Sequence, residues 1–493
     1  MLAPLVVALL YRESFTNVLA FLVPIALLGG IGVLLQSLRP DRTGLYQKEG
    51  FALVAMAWLV MALFGAIPFM ISGEIPRFEE AFFEIMSGFT TTGASILPDV
   101  GVLSHSTLFW RSFSHWIGGM GILVFILIFI PEAGDGSSMH LLRAESPGPQ
   151  VGKIVSKMKV TTRILYLIYL GLTVLEVIVL SLDAPIPGYE SDHFFISLLT
   201  TFGSAGTGGF GAIPCSLELF SPFSQYAVSI FLLLFGCNFT LYYLLLIGKI
   251  KSVLKSEELR AYGAMIVIAV FLVFMSLTGR FGAVAQSYTG EEAFRHSLFQ
   301  VASILTTTGY STTDFGVWPE LAKSVLVILM LMGAMAGSTA GGIKTSRIVI
   351  AVKGLGVKVR RLINPRFVPK TKIEGKPLEE KTVNDVFAYL SLYFFILLLV
   401  TFLLSFDPIN GQNVVITSSA GQYSVQHGIL SNITATISCL SNIGPGLEAV
   451  GPYSSFAGYG VFSKLLLSLT MMVGRLEILP VLILFSPRSW KKA

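Results

Sequence analysis

Four times along the chain, an apolar stretch of about a dozen residues runs into a short glycine-containing sequence and is then followed by a much longer apolar segment. The glycine-containing sequences are TTTGAS, GTGGFG, TTTGYS and SNIGPG, at residues 90–95, 206–211, 306–311 and 441–446. An α-helix needs about 20 residues to cross the hydrocarbon core of a bilayer. The short stretches, such as 78–89 and 293–305, can therefore enter a membrane but cannot cross it.

The composition indicates a membrane protein. Apolar residues make up 53% of the 493, only 13% are charged, and the mean hydropathy is +0.74, which no soluble domain of this length would tolerate. Runs long enough to span predict nine crossings. The apolar fragment 1–10 predicts a truncated first helix, because it lacks the features of a signal peptide. The nine runs are 18–38, 50–72, 107–130, 164–182, 223–248, 261–279, 321–352, 386–406 and 460–486.

The charged residues predict the orientation of the chain. Of the 34 Lys and Arg residues, 26 lie in alternate connections, which the positive-inside rule places in the cytoplasm. The intervening connections are acidic, and all four glycine-containing sequences are entered from that side. A negative vestibule favours cations over anions. Ordinary charge on solvated loops is the alternative explanation.

The glycine-containing sequences predict a pore. Non-helical backbone at membrane depth is tolerated only when it is buried in protein or faces a water-filled path. Glycine reaches positive φ freely and lets the backbone approach an ion, which singles out Gly93, Gly209, Gly309 and Gly444. The carbonyls of their neighbours would replace the ion's water, while threonine hydroxyls could brace the loop or face the ion. A glycine packing motif is the alternative, although such motifs lie inside spanning helices.

The run 321–352 contains GAMAGSTAGGIKT at residues 333–345. Its glycines and small polar residues are incompatible with a continuous stable helix, so the sequence predicts a break within the membrane. A nucleotide-binding Walker A motif is excluded, because Ile343 intrudes before Lys344 and no strand precedes the segment.

Arg475 lies inside the last apolar run, where a lone charge is costly and usually faces a pore. It is a candidate electrostatic barrier or a hydrogen-bond anchor for the broken segment, and an ion pair with Glu477 or Glu176 is the alternative. Lys464, nearer the outer end, is expected only to snorkel. His115 is expected to be a packed core histidine. The three cysteines, Cys215, Cys237 and Cys439, are expected to be inert packing residues.

Three classes of function remain for comparison. An enzyme fits poorly, because no metal-ligand spacing, Ser/His pair or paired aspartates occur at pore depth. A coupled carrier would show inverted repeats around a midplane site, whereas all four repeats here enter from one side. A channel-like cation path fits best, although coupling to Na⁺ or H⁺ stays open at this point.

These motifs resemble those of the TrkH-type membrane subunits of the Trk/Ktr/HKT superfamily of potassium transporters. The resemblance covers nearly the whole chain. It is carried by LLYRES at 9–14, MSGFTTTGAS at 86–95, HWIGGMGI at 115–122, LLRAESPGP at 141–149, TTTGYST at 306–312, AGSTAGGIK at 336–344, SNIGPGL at 441–447 and GRLEILP at 474–480.

The resemblance implies an all-α polytopic membrane protein with four repeats of helix M1, pore loop and helix M2 in a pseudo-four-fold arrangement around one pore, preceded by an N-terminal helix pair. The expected divisions are the helix pair at 1–48 and repeats at 49–139, 140–256, 257–383 and 384–493. The second and fourth repeats depart from the family pattern, since they lack the run of threonines.

The resemblance also implies site residues. The broken segment would be an intramembrane gate below a selectivity filter, and K⁺ is expected at Thr92, Gly208, Thr308 and Ile443. The implied filter residues are Thr91, Thr92, Gly93, Gly208, Gly209, Thr307, Thr308, Gly309, Asn442, Ile443 and Gly444. The implied gate residues are Gly337, Ser338, Thr339, Ala340, Gly341, Gly342, Lys344 and Arg475.

The function implied by the resemblance is K⁺ uptake across the bacterial inner membrane, with preference for K⁺ and Rb⁺ over Na⁺ that is not absolute. The expected assembly is a homodimer in the lipid bilayer, controlled by a separate cytosolic ring of TrkA-type nucleotide-binding domains. NAD and ATP are expected on that partner only, with no cofactor bound by this chain other than the K⁺ ion and no contact with nucleic acid. A Na⁺- or H⁺-coupled symporter of the same superfamily is the alternative.

Overall fold

A computed structural model describes residues 1–37, 47–121, 158–280, 288–364, 370–418, 421–478 and 481. These ranges hold 17 α-helices and two short antiparallel β-hairpins. The predicted motif at 141–149 and the ends of the runs 107–130 and 460–486 lie outside the described residues. The helices are α1 Leu2–Leu10, α2 Phe15–Ser37, α3 Gln47–Ser72, α4 Phe78–Phe89, α5 His105–Gly119, α6 Met158–Ser181, α7 His193–Gly206, α8 Pro222–Phe235, α9 Phe239–Leu246, α10 Ile250–Leu254, α11 Glu257–Leu277, α12 Gly290–Leu305, α13 Glu320–Leu331, α14 Thr345–Ile363, α15 Glu380–Leu404, α16 Ile429–Ser441 and α17 Val461–Arg475.

The hairpins lie in two connections. Strands β1 (Lys372–Ile373) and β2 (Lys376–Pro377) pair in the basic connection after α14. Strands β3 (Asn413–Ser418) and β4 (Gly421–Gln426) pair in the connection between α15 and α16, with Asn413 opposite Gln426 and Ser418 opposite Gly421.

Five described helices are long and apolar enough to cross a membrane, and a sixth crossing results if the bent pair α8 and α9 counts as one. The five correspond to predicted runs. Of the other predicted crossings, 107–130 and 460–486 are described only as α5 and α17. The part of the chain that the structure describes therefore supports a polytopic helical protein but not the full count of nine.

The run 223–248, predicted to be long enough to cross, does not form one continuous helix. The chain bends by 91° between α8 and α9. Backbone groups released at the bend bond to the broken segment of the run 321–352: Met335 N donates to the Gly236 carbonyl at 3.1 Å, and Phe239 N donates to the Gly337 carbonyl at 3.0 Å. The Asn238 side chain caps the new helix by accepting from Thr240 N at 2.8 Å. The bend therefore depends on a distant segment.

The predicted break in the run 321–352 was confirmed. Helix α13 ends at Leu331 and α14 begins at Thr345. Between them, residues 332–344 form a compact loop, called here the 332–344 loop. Its ends are joined by a bridge between Met332 and Ile343 and by a bond of 2.8 Å from Gly333 N to the Ile343 carbonyl.

The four short helices α4, α7, α12 and α16 end at the four glycine-containing sequences, as predicted. Helix α4 has the predicted bounds, and α12 begins earlier than predicted because Thr289 and Glu292 form a capping box. Each short helix packs among longer ones; α4, for example, contacts α3, α5 and α17. Small residues allow this close approach, since a methyl group on Gly88 would overlap the Ser114 hydroxyl of α5.

The packing at Gly88 yields a prediction for stability. Gly88→Ala should destabilise the protein by about 1–3 kcal/mol, because the added methyl group has no space against α5. The matched control is Gly171→Ala in α6, where a methyl group meets nothing within 4 Å. The measurement is the melting temperature of each purified variant in detergent. Equal melting temperatures for the two variants would contradict the close packing of α4 on α5.

Candidate functional site

The four short helices end in the same backbone conformation. In each, a non-glycine residue adopts the left-handed region, and a glycine two residues later also has positive φ. The first of these residues is threonine in three segments and asparagine in the fourth. Asparagine adopts the left-handed region more readily than most residues. The first members are Thr91, Thr207, Thr307 and Asn442, with φ of 54°, 53°, 55° and 59°; the glycines are Gly93, Gly209, Gly309 and Gly444, with φ of 79°, 69°, 85° and 106°.

One hydrogen bond recurs at all four ends. The amide between the two positive-φ residues donates to the carbonyl five residues earlier, which closes the last turn and directs the chain out of the helix. This bond joins Thr92 to Ser87 at 2.9 Å, Gly208 to Gly203 at 2.8 Å, Thr308 to Ser303 at 2.8 Å and Ile443 to Ser438 at 2.9 Å.

The four ends meet in a closed ring, called here the glycine ring and made of residues 91–93, 207–209, 307–309 and 442–444. A methyl group on Gly93 would overlap the carbonyl oxygen of Gly208, and one on Gly444 would lie 2.9 Å from the carbonyl oxygen of Thr92. The other two glycines complete the circuit, with Gly209 against the Thr308 carbonyl and Gly309 against the Ile443 carbonyl. Only glycine leaves room for so close a backbone approach.

The structure thus brings together every residue that was expected to line the filter. The side chains of Thr92, Thr308 and Ile443 are buried, as is Gly208. Because the carboxyl ends of four helices converge here, the partial negative charge of each helix also points toward the ring.

Threonine hydroxyls brace the first and third segments. Thr90 and Thr92 are joined through their hydroxyls at 2.8 Å, and Thr306 and Thr308 at 2.9 Å. In the fourth segment, the amide of Asn442 donates to the Thr92 hydroxyl at 2.9 Å and to the Met471 carbonyl at 2.9 Å. The sequence suggested that threonine hydroxyls brace the loop or face the ion, and the contacts of these four hydroxyls fit bracing.

The second segment is held by His115 of α5. Its ring stacks on Phe210 with centroids 4.2 Å apart, and Nδ1 accepts from Phe210 N at 3.5 Å. A methyl group on Gly208 would lie 2.5 Å from its Cγ. His115 is a buried core histidine, as expected, but it also fixes a member of the glycine ring, which its position in the sequence did not indicate.

A buried ion pair outside the ring was missed by the sequence reasoning. Arg111 Nε donates to Glu84 at 2.8 Å, and both side chains are at most 1% exposed. Glu84 also accepts from Ser95 and from Ile96 N at 3.0 Å, whereas the Arg111 guanidinium stacks over Phe210 at 4.1 Å. The pair therefore braces the chain leaving the first and second segments. The two charges are 27 residues apart, on separate helices, and no local pattern connects them.

The 332–344 loop contacts the ends of α12 and α16. Gly341 N donates to the Thr307 hydroxyl at 2.6 Å, and a methyl group on Gly341 would overlap the Ser441 carbonyl. Glu258 of α11 accepts from Ala336 N of the loop at 2.7 Å and from Ser346 N of α14 at 3.1 Å, which ties the loop to the start of α14.

The other residues expected in the gate lie in the same loop. Ser338 donates to the Met335 carbonyl at 2.6 Å, and the Lys344 ammonium group donates to the Ala340 carbonyl. Gly337 and Gly342 have φ of 74° and 67°, which favours glycine at both places.

Arg475 connects this loop to α5. Its guanidinium donates to the Thr339 carbonyl at 2.8 Å, to the Gly119 carbonyl at 2.9 Å and to the Gly118 carbonyl. Glu477, one of the ion-pair partners considered for it, pairs with Arg347. The geometry matches the anchor hypothesis, because one guanidinium holds several carbonyls at once.

Lys464 and the three cysteines were also singled out in the sequence. Lys464 does not snorkel but pairs with Glu80 of α4 at 2.7 Å and is nearly buried, because that acid lies within reach on a neighbouring short helix. The cysteines are free thiols, with Cys439 buried and Cys215 and Cys237 half-buried. Within the described ranges, no group of three or more His, Cys, Asp or Glu residues could hold a metal ion.

The chain matches the TrkH family, described as cation transport proteins, over residues 17–492. The chain belongs to the TrkH family. It is 32% identical to the Trk system potassium uptake protein TrkH of Vibrio parahaemolyticus over 498 residues, which cover 100% of this chain and 96% of the relative. It is 30% identical to Trk system potassium uptake protein TrkG of Escherichia coli over 502 residues, which cover 100% of this chain and 95% of the relative.

A solved structure agrees with this assignment. The crystal structure of the potassium transporter TrkH from Vibrio parahaemolyticus matches with a TM-score of 0.81 and 29% identity, over 99% of this chain and 96% of that one. The expected fold class of a helical polytopic membrane protein is thereby confirmed. As a member of the TrkH family, the chain is a multi-pass inner-membrane transport protein and not an enzyme.

The buried ion pair yields a second prediction. Arg111→Met should cost about 3–5 kcal/mol of stability, because Glu84 would be left buried and unpaired. The control is Arg361→Met, which removes an exposed pair with Glu380 at 3.4 Å and should cost no more than about 1 kcal/mol. Thermal unfolding of both purified variants in detergent measures the difference. Similar losses in the two variants would show that the buried pair does not brace the site.

Proposed function

We propose that this chain mediates K⁺ uptake through the glycine ring. The single observation that carries the proposal is the closed circuit of the four segments, in which each glycine lies against the carbonyl of the next segment. The names of the relatives support K⁺ as the ion, since both the V. parahaemolyticus and the E. coli proteins are Trk system potassium uptake proteins.

The proposed filter works through backbone oxygen. Carbonyls at Thr92, Gly208, Thr308 and Ile443 would replace the hydration shell of K⁺, and the converging helix ends would add negative potential. Each segment contributes one positive-φ glycine, so we expect the filter to have fewer carbonyl layers than a TVGYG filter. We therefore expect K⁺ and Rb⁺ to be preferred over Na⁺ without complete exclusion of Na⁺.

The proposed gate is the 332–344 loop together with Arg475. The loop lies against Thr307 and Ser441 at the ends of two pore helices, where it can obstruct the path. Arg475 would hold the loop in place and present a positive charge below the filter. Release of its bonds to Thr339 and Gly119 would free the loop to move.

The regulatory arrangement is part of the proposal. We infer four repeats with the divisions expected from the sequence, a homodimer, and a separate cytosolic ring of nucleotide-binding domains that acts on the gate. The basic helix α14, with exposed Arg360 and Arg361 near its end, offers a positive cytoplasmic surface for such a partner. NAD or ATP would then act on the partner and not on this chain.

The filter proposal predicts the effect of one methyl group. Gly309→Ala should lower the ratio of ⁸⁶Rb⁺ to ²²Na⁺ influx into liposomes by about tenfold, equivalent to about 1.4 kcal/mol, because the methyl group overlaps the Ile443 carbonyl and φ is 85°. The control is Gly290→Ala at the start of α12, the helix that ends just before this segment of the ring. A methyl group at Gly290 meets nothing within 4 Å.

The outcomes separate the possibilities. An unchanged ratio in Gly309→Ala would overturn the carbonyl filter. Influx of ⁸⁶Rb⁺ that required a Na⁺ or proton gradient in every variant would instead support a coupled carrier.

Arg475 provides a further prediction that separates anchoring from charge. Arg475→Ala should raise ⁸⁶Rb⁺ influx severalfold, since both tie and charge are lost. Arg475→Lys keeps the positive charge, but an ammonium group cannot reach the carbonyls of Thr339 and Gly119 at once as a guanidinium does. If the hydrogen bonds to these carbonyls close the gate, Arg475→Lys should also raise ⁸⁶Rb⁺ influx. Influx that rises with alanine but not with lysine would assign the effect to charge alone, and no rise in either would contradict the gate.

A further inference from the structure

The second repeat sends a loop over the third. Residues 212–220, called here the second outer loop, follow the second member of the glycine ring. Leu217 N donates to the Ser311 carbonyl at 3.0 Å, and Ser311 N donates to the Ser216 hydroxyl at 3.2 Å. Ser311 is two residues beyond Gly309. The second outer loop therefore lies on the chain that leaves the third member of the ring.

The fourth repeat has the same relation to the first. Residues 447–456, called here the fourth outer loop, follow the fourth member of the ring. Phe456 N donates to the Ser95 carbonyl at 2.9 Å, and its ring packs against Phe83 with centroids 5.6 Å apart. Ser95 is two residues beyond Gly93. Two outer loops thus cover the two remaining segments from opposite sides.

The two outer loops meet. The Tyr453 hydroxyl donates to the Glu218 carboxylate, and this contact is called here the outer bridge. The second and fourth segments are opposite members of the ring, because the circuit runs from the first through the fourth in order. A contact between opposite members spans the outer mouth. Both side chains are only half-buried, so solvent reaches them.

Both ends of the outer bridge are held in position. Gln225 donates to the carbonyls of Leu217 and Phe220 at 3.0 and 3.2 Å, which shapes the backbone around Glu218. In the fourth outer loop, Ser454 donates to the Ala449 carbonyl at 2.7 Å. The bridge is thus supported by fixed backbone on each side.

We propose that the outer bridge is the outer constriction of the cation path, resting on the function proposed above. An ion that enters the ring from the acidic side must pass Glu218 and Tyr453. The carboxylate attracts a cation at the entrance, and the hydroxyl supplies a second oxygen as water is shed. Neither residue belongs to the glycine ring or to the 332–344 loop.

The test locks the bridge covalently. In a background of Cys215→Ser, Cys237→Ser and Cys439→Ala, the double variant Glu218→Cys/Tyr453→Cys is reconstituted in liposomes and treated with a bis-methanethiosulfonate reagent long enough to replace both side chains. Each cysteine thiol forms a disulfide with one end of the reagent and releases methanesulfinate, so a reducing agent can break the link again. Influx of ⁸⁶Rb⁺ is measured before treatment, after it and after reduction, and mass spectrometry reports the cross-link. The expected result is block by the reagent and recovery on reduction.

A second tyrosine–glutamate contact on the outer face supplies the matched control. Tyr226 donates to Glu291 at 3.1 Å, joining α8 to α12 at the periphery. Cross-linking Tyr226→Cys/Glu291→Cys should leave influx unchanged. A confirmed link at 218 and 453 with undiminished influx would overturn the proposal, as would failure of the two sulfurs to link, because the loops would then not meet.

A milder pair of variants covers the case in which the double variant does not fold. Tyr453→Phe keeps the ring and removes the hydroxyl oxygen that is offered to the ion, so it should lower ⁸⁶Rb⁺ influx relative to Tyr226→Phe. Equal influx in the two would count against the constriction. Absence of Rb⁺-selective influx in the untreated parent is a separate result, which would contradict the proposed function and not the outer bridge alone.

Discussion

The structure depends on the need to satisfy backbone groups where four short helices stop in the interior of a membrane protein. Lipid offers no partner for an exposed amide or carbonyl, so each helix end must be closed by the protein itself. The recurring bond to the carbonyl five residues earlier meets part of this need at all four ends. The remaining groups are covered by neighbouring segments, and the glycine ring results from this mutual coverage.

The four segments share a backbone but not their supports. Hydroxyl pairs hold the first and third segments, His115 holds the second, and Asn442 links the fourth to the first. Similar main-chain geometry is thus reached by different side chains. This is why the missing threonines in two segments do not disrupt the ring, and why the chemistry around a bound ion would differ from one side to another.

Much of this architecture could be read from the sequence, because bilayer thickness makes helix length informative. The stretch 78–89 was too short to span and proved to be α4, and the glycines of 333–345 marked a real break. The bend at residues 236–238 was not predicted. Gly236 and Asn238 interrupt the apolar run 223–248, but the groups that satisfy the bend belong to the distant 332–344 loop.

Contacts between residues that are far apart in the sequence also could not be predicted. Asn442 and Thr92 are 350 positions apart, and Arg111 and Glu84 lie on different helices. No periodicity joins them, so their roles emerge only from packing. A local signal did exist at Asn442, because asparagine adopts the left-handed region more often than most residues.

The contacts of Arg475 and Tyr453 have a mechanical consequence when they are considered together. Arg475 ties the 332–344 loop to α5, and Tyr453 ties the fourth outer loop to the second outer loop. The four segments of the glycine ring are thus joined across both diagonals, with one contact at each end of the ring. Such an arrangement resists shear and flattening of the ring into a slit. A change in the width of the path must then come from local movement at the Arg475 contact or at the Tyr453 contact, while the glycine ring keeps its shape.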